Sequence, residues 1–250
     1  MAFKFLRAVK ILPIFLAFEL LFSLNALQPV QAQPLSETEE TVEEIIRTRV
    51  NFQPSSDGVP DGSASGGSRG NLGLLLPVNP KSPEGKIQYM LGLTTQANPT
   101  FFIYVGKRDT DKVNFTIIDQ ETQTTIYETE IDMSGDSGII SINLPANVAS
   151  LEIGKTYNWV VGAIEENALE TANGSIKRVE LNPTVSSQLE NADPLDQAVL
   201  YAENGIWFDT LEILAEQKQS QPDNEIFAAE WSELLKSVGL EDMATKPLVE

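Results

Sequence analysis

From Leu72 to Leu181 the sequence is a succession of short apolar or alternating runs, each closed by a cluster of turn formers, with no stretch of helical period between them. Leu74 to Val78 is stopped by "NPKSPEG", and "IQYMLGLT" by Asn98-Pro99 before "TFFIYVG". "DKVNFTIIDQ" and "TTIYETEID" flank a turn at Gln120 to Gln123, which predicts a hairpin. In "IISINLP", Ile140, Ile142 and Leu144 fall on one side of a strand and Ser141 and Asn143 on the other. "TYNWVVGAI" likewise groups Tyr157, Trp159, Val161 and Ala163, and a last strand "SIKRVEL" is expected after a turn at Asn173-Gly174. Seven or eight such strands can bury their apolar faces only against one another, so residues 72–182 are expected to form an all-β, antiparallel sandwich.

"LEIGKTYNWVVGA" (151–163) refines that expectation. In immunoglobulin-like sandwiches a tyrosine at the start of the sixth strand turns its hydroxyl back onto upstream backbone, two residues before a core position. Leu151, Gly154 and Tyr157 have that spacing and Trp159 takes the core position. The fold class expected is therefore an immunoglobulin-like sandwich, these four residues being structural.

At Asn182-Pro183 the pattern changes to helical. Asp193 is placed to cap a helix with Pro194 at its first position, and Leu195, Ala198, Val199 and Ala202 recur at helical spacing. After Asn204-Gly205, Trp207, Leu211, Leu214 and Ala215 define a second helix. A third, started by Asp223 or Asn224, carries Phe227, Trp231, Leu234, Leu235 and Val238, with Gly239 past its end. Residues 183–240 thus read as an α-helical appendage, a hairpin plus one helix, followed by a flexible tail at 241–250. Ala198, Tyr201, Gly205, Trp207, Leu214 and Pro222 resemble one tetratricopeptide unit. A single unit cannot make its own core, so the hairpin must pack on the sandwich or on a partner. In the second case Tyr201, Trp207 and Asp209 are the candidate partner surface.

The amino terminus has a secretory layout: Lys4, Arg7 and Lys10, an apolar run from Ile11 to Leu27, then Val30-Gln31-Ala32 before a cut at Gln33. Residues 1–32 are read as a signal peptide. Residues 33–71 are read as a flexible segment, acidic at first and Gly/Ser-rich later, with Ser36-Glu37-Thr38-Glu39 as a capping box for a short helix that reaches Arg49. Export to the periplasm or cell surface is expected, with no stable membrane insertion once the leader is cut.

Composition removes whole classes of chemistry. The chain has neither cysteine nor histidine, so disulfides, thiolate or imidazole metal sites, cysteine nucleophiles and Ser-His-Asp triads are excluded. A net charge of −19 repels phosphate backbones, and nucleic acid is not an expected partner. Glu165 and Glu166 are neighbours on opposite faces of a strand and cannot pair as glycosidase carboxylates. Asp136, Glu203 and Asp209 read as turn, helix-end or solvated charges. "DGVPDG" (57–62) lacks the ligand spacing of a calcium loop. No catalytic, cofactor-binding or metal residue is assigned, and no cofactor is expected.

Six blocks resemble a cyanobacterial exported family, domain of unknown function 928: "GGSRG" (66–70), "NPTFFIYV" (98–105), "GIISINLP" (138–145), "LEIGKTYNW" (151–159), "YAENGIWFDTLEILAE" (201–216) and "WSELLKSVGL" (231–240). The resemblance implies no activity. It implies partnership with exported or membrane-bound sensory proteins, some bearing tetratricopeptide arrays or caspase-like domains. The function expected is a non-enzymatic binding or scaffold module of the cell envelope, acting on an unidentified protein partner. One alternative is a carbohydrate-binding, even glycan-processing, sandwich using Tyr89, Phe101, Tyr104, Tyr127 and Trp159. The other is a purely structural envelope protein.

Overall fold

A computed structural model describes residues 49–55, 71–84, 86–107, 112–133, 137–165 and 168–249. The expected leader, the helix from Ser36 and the glycine-rich stretch up to Gly70 lie outside the described residues, apart from Arg49 to Ser55. The strands are β1 (Leu72–Leu74), β2 (Gly92–Thr94), β3 (Thr100–Val105), β4 (Lys112–Asp119), β5 (Thr125–Asp132), β6 (Gly138–Asn143), β7 (Thr156–Glu165) and β8 (Ala168–Arg178). Four helices follow: α1 (Pro183–Leu189), α2 (Pro194–Glu203), α3 (Trp207–Ser220) and α4 (Glu225–Ser237). Two sheets, ordered β1-β3-β6 and β2-β8-β7-β4-β5, form a β-sandwich with a helical appendage. Every strand pair is antiparallel except β2 with β8.

Alternation sets the inner faces. In β4, Val113, Phe115 and Ile117 are fully buried while Lys112 and Asn114 face water. Their partners across the ladder are Ala163, Val161 and Trp159 of β7. From the other sheet come Phe101 and Ile103 of β3, opposite Ile142 and Ile140 of β6. The Phe101 ring stands 5.0 Å from both Phe115 and Trp159, edge to face in each case. Such aromatic pairs contribute about 1 kcal/mol each beyond their buried area.

Strand β3 does not alternate, for a physical reason. "TFFIYV" is apolar on both faces because both are covered: Phe101 and Ile103 by the opposite sheet, Phe102 by the Trp231 ring of α4 at 6.3 Å. Further along that outer face Lys246 lies over the Tyr104 ring at 5.2 Å. The appendage is thus a third layer sharing one hydrophobic core with the sandwich. Phe208 of α3 enters the open side between the sheets, 5.4 Å from Phe101 and 6.4 Å from Trp159. A side chain at Gly92 would collide with that ring.

Four expectations are corrected. Gly174 makes no turn. It lies within β8 opposite Trp159, and a Cβ there would meet Leu76 at 2.5 Å and the indole at 2.8 Å. The glycine is needed for close approach, not for chain reversal. Residues 183–240 hold four helices rather than three, because Asn182, whose side chain accepts from Thr184 N at 2.9 Å, caps α1, a short helix that buries nothing.

The segment 33–71 is not uniformly detached, since Phe52 is buried against the helices. Nor is the tail free. Ile139 N donates to Pro247 O at 2.7 Å and Val249 N to Ile139 O at 2.8 Å, so residues 247–249 extend the β6 edge. Gly138 leaves room for that crossing, since a Cβ would lie 2.8 Å from Pro247 O.

Candidate functional site

The α2–α3 hairpin is specified locally. Asp193 accepts from Asp196 N at 2.9 Å, Pro194 opens α2, and Gly205, with φ +73°, lets the chain reverse. α3 then directs Trp207, Phe208, Leu211, Leu214 and Ala215 inward. Trp207 Nε1 donates to Leu75 O at 2.7 Å.

The expected partner surface of Tyr201, Trp207 and Asp209 is therefore corrected. Trp207 is fully buried and Asp209 is 2% exposed, while Tyr201 is half-buried. The three serve the joint between the layers. An indole and a carboxylate that sequence alone leaves free are taken up by Leu75, Thr94 and Thr95, at and just past strand ends more than a hundred residues away.

That joint is polar along one seam. Asp209 accepts from Thr94 Oγ1 at 2.7 Å, from Thr95 N at 3.2 Å, and from the Thr95 hydroxyl. One turn further, Glu212 accepts from Gln96 Nε2 and Thr100 Oγ1. Burial pushes the Asp209 carboxyl above its usual range; the Thr95 and Thr94 hydrogen bonds work against that rise, and Glu212's charge adds to it. Burial raises Glu216 too, with Glu212 contributing. Tyr201's phenol is raised by burial and then by the Asp209 charge. A carboxylate this well supplied with donors holds a helix on a sheet. Among the described residues no group of three or more acidic side chains could hold a metal ion.

A second arrangement, missed by the sequence reading, lies across the same helices. Residues Arg49 to Ser55 run over them as an extended arm. Arg49 pairs with Asp196 of α2, and Val50 N donates to Glu230 Oε2 of α4 at 3.2 Å. The Phe52 ring meets Trp207 edge to face at 4.9 Å, and Gln53 N donates to Ala202 O at 3.0 Å. Gly205 leaves space for the arm, since a Cβ would approach Gln53 O at 2.8 Å. Glu230 is 1% exposed, and its Oε1 has no hydrogen-bond partner among the described residues. Burial raises its pKa, opposed by the Val50 N–H and by Arg49. Two signals pointed here: a lone aromatic, Phe52, in a polar stretch, and a glutamate on the same helical face as Phe227, Trp231 and Leu234.

Glu152 N donates to the Tyr157 hydroxyl at 3.1 Å, Gly154 has φ +84°, and Leu151 and Trp159 are buried. Arg178 reinforces the corner through Leu151 O at 2.8 Å and Thr95 O at 3.1 Å. The five aromatics weighed for sugar binding form no common face. Tyr89, Phe101 and Trp159 are buried, and the half-buried Tyr104 and Tyr127 belong to different sheets.

Fold and site together define a β-sandwich sealed by a helical layer, with a stretch of its own chain laid across the helices. The family described as Domain of Unknown Function (DUF928) matches residues 62–248, and the chain belongs to it. No curated protein matches.

Proposed function

We propose that this protein is an exported, non-enzymatic interaction module of the cell envelope, of the cyanobacterial kind its sequence blocks suggest, acting by holding another protein. The observation that carries the reading is the arm: α2, α3 and α4 grip an extended segment through main-chain donors, one ion pair and an aromatic anchor. Domains that recognise peptides use that combination. The Tyr157 corner and the strand orders β1-β3-β6 and β2-β8-β7-β4-β5 support an immunoglobulin-like body. Ala198, Gly205 and Trp207, small, turning and bulky in sequence, support a tetratricopeptide-like hairpin as the gripping element. The basic and apolar start of the chain supports export.

The test is made in cells that produce the full chain. Fractionation and mass spectrometry are expected to find it outside the cytoplasm and beginning at Gln33. Cross-linking there is expected to trap a protein that captures this one reciprocally. A chain kept in the cytoplasm with its first residues intact contradicts export; a chain that cross-links to nothing contradicts the interaction role.

A further inference from the structure

We infer that the groove formed by α2, the α2–α3 turn and α4 is a recognition site for extended segments of a partner protein with the pattern basic–aliphatic–any–aromatic, and that Arg49 to Ser55 fills it in cis. The inference rests on the interaction role proposed above and gives it a site and a ligand class.

Each element of the pattern has its counterpart, the aliphatic one in Val50, which packs against the shared core. α2 and its N-cap carry Asp193, Asp196 and Glu203 and no basic residue, so this side selects a cation, as Arg49 on Asp196 illustrates. The Glu230 carboxylate takes the N–H of the next residue. Trp207 supplies the ring edge or face against which an aromatic seats, 4.9 Å from Phe52. Ala202 O, at the end of α2, takes the N–H that follows in addition to that of Gly205. These contacts read backbone and residue class rather than one exact sequence.

The arm is a ligand that can be improved upon. It leaves Oε1 of Glu230, a group 1% exposed, without a partner among the described residues. A segment that brings one more donor to that oxygen satisfies the site better than the arm does. Residues 56–70, five of them glycine, follow the arm in the sequence. Being part of the same chain, the arm competes intramolecularly with any partner segment. A partner segment must therefore bind more tightly or be locally concentrated, which makes occupation by the arm a threshold for recognition.

The experiment uses the full chain and a labelled heptapeptide, Arg-Val-Asn-Phe-Gln-Pro-Ser, followed by fluorescence anisotropy. Phe52→Ala weakens the arm but leaves the groove. The peptide is expected to bind Phe52→Ala at least tenfold more tightly than wild type. A peptide with alanine for phenylalanine is expected to lose at least tenfold, and one with glutamate for arginine to weaken most at low salt. A folded Phe52→Ala protein that ignores the peptide, or that binds the alanine peptide equally well, overturns the inference. Should Phe52→Ala fail to fold, a protease site placed within residues 56–70 serves instead. After cutting, the arm is expected to leave on dilution and to be replaced by labelled peptide; an arm that never exchanges is a fixed part of the core, and the inference fails. Peptide binding without any cross-linked partner in cells would refute the envelope role and leave the groove standing. A cross-linked partner without peptide binding does the reverse.

Discussion

Trp207 Nε1 donates to the carbonyl of Leu75 across 2.7 Å, so an indole from the helices completes the hydrogen bonding of backbone that leaves the sandwich at the end of β1. Both groups are buried. Trp207→Phe keeps most of the apolar volume but strands that carbonyl, and an unsatisfied buried acceptor costs about 1–3 kcal/mol. Chemical denaturation is expected to register a loss of that size, with the slope of the transition unchanged.

Tyr157→Phe tests the corner. The hydroxyl accepts the Glu152 N–H at 3.1 Å while the ring stays in the core. Loss of that one bond is expected to lower stability by about 1 kcal/mol, read as a lower melting temperature in calorimetry. A variant melting with wild type would show that the corner is held by Gly154 and Arg178 alone.

Gly174→Ala adds a single methyl where Leu76 and Trp159 already meet the strand. Overpacking of a filled core costs about 1–3 kcal/mol. The variant is expected to fold with a lowered melting point and a shifted Trp159 emission. A glycine that merely made a turn would accept alanine in an extended strand without that spectral change.

Asp209 gives a pH dependence whose sign can be worked out. Its folded-state pKa is raised above 3.8, chiefly by burial, so the native state holds the proton more tightly than the unfolded chain does. The resulting stabilisation is full below the unfolded value and is lost as pH rises through the folded one. Glu216 and Glu230 shift in the same direction. Asp119, lowered by the Thr122 and Glu121 N–H donors, works the other way, so the Asp209 part is read as a difference: across the acidic range Asp209→Asn is expected to lose stability less steeply with rising pH than wild type. Parallel pH profiles for the two proteins would show that Asp209 titrates in the fold as it does in the unfolded chain.

Much of this structure could be read from the residues. The strands of the sandwich, the corner at Tyr157 and the capped start of α2 are written in short-range signals: period-two alternation, a glycine three residues before a tyrosine, an aspartate before a proline. What escaped depends on distant partners. Trp207 and Asp209 look exposed until Leu75, Thr94 and Thr95 are brought beside them, and the apolar density of "TFFIYV" gains its meaning only when Trp231 covers the second face. Gly174 carries a turn-like asparagine neighbour, yet its role is set by the indole across the ladder. Phe52 and the tail at 247–249 sit in segments whose composition suggests solvent, and each is held by a few backbone bonds to an edge or a helix end that sequence alone does not reveal.

A groove can select peptides only if its helices are held rigid, and here that rigidity comes from one core running through both layers. Native-state hydrogen exchange on the full chain, with increasing denaturant, measures this directly by comparing the amides of α3 around Leu211 to Ala215 with those of β7 around Trp159 to Val161. The account predicts that both sets are exposed by the same global opening, with equal free energies and equal denaturant dependence. Helical amides that exchange through a separate, lower-energy opening while the sandwich stays closed would contradict it.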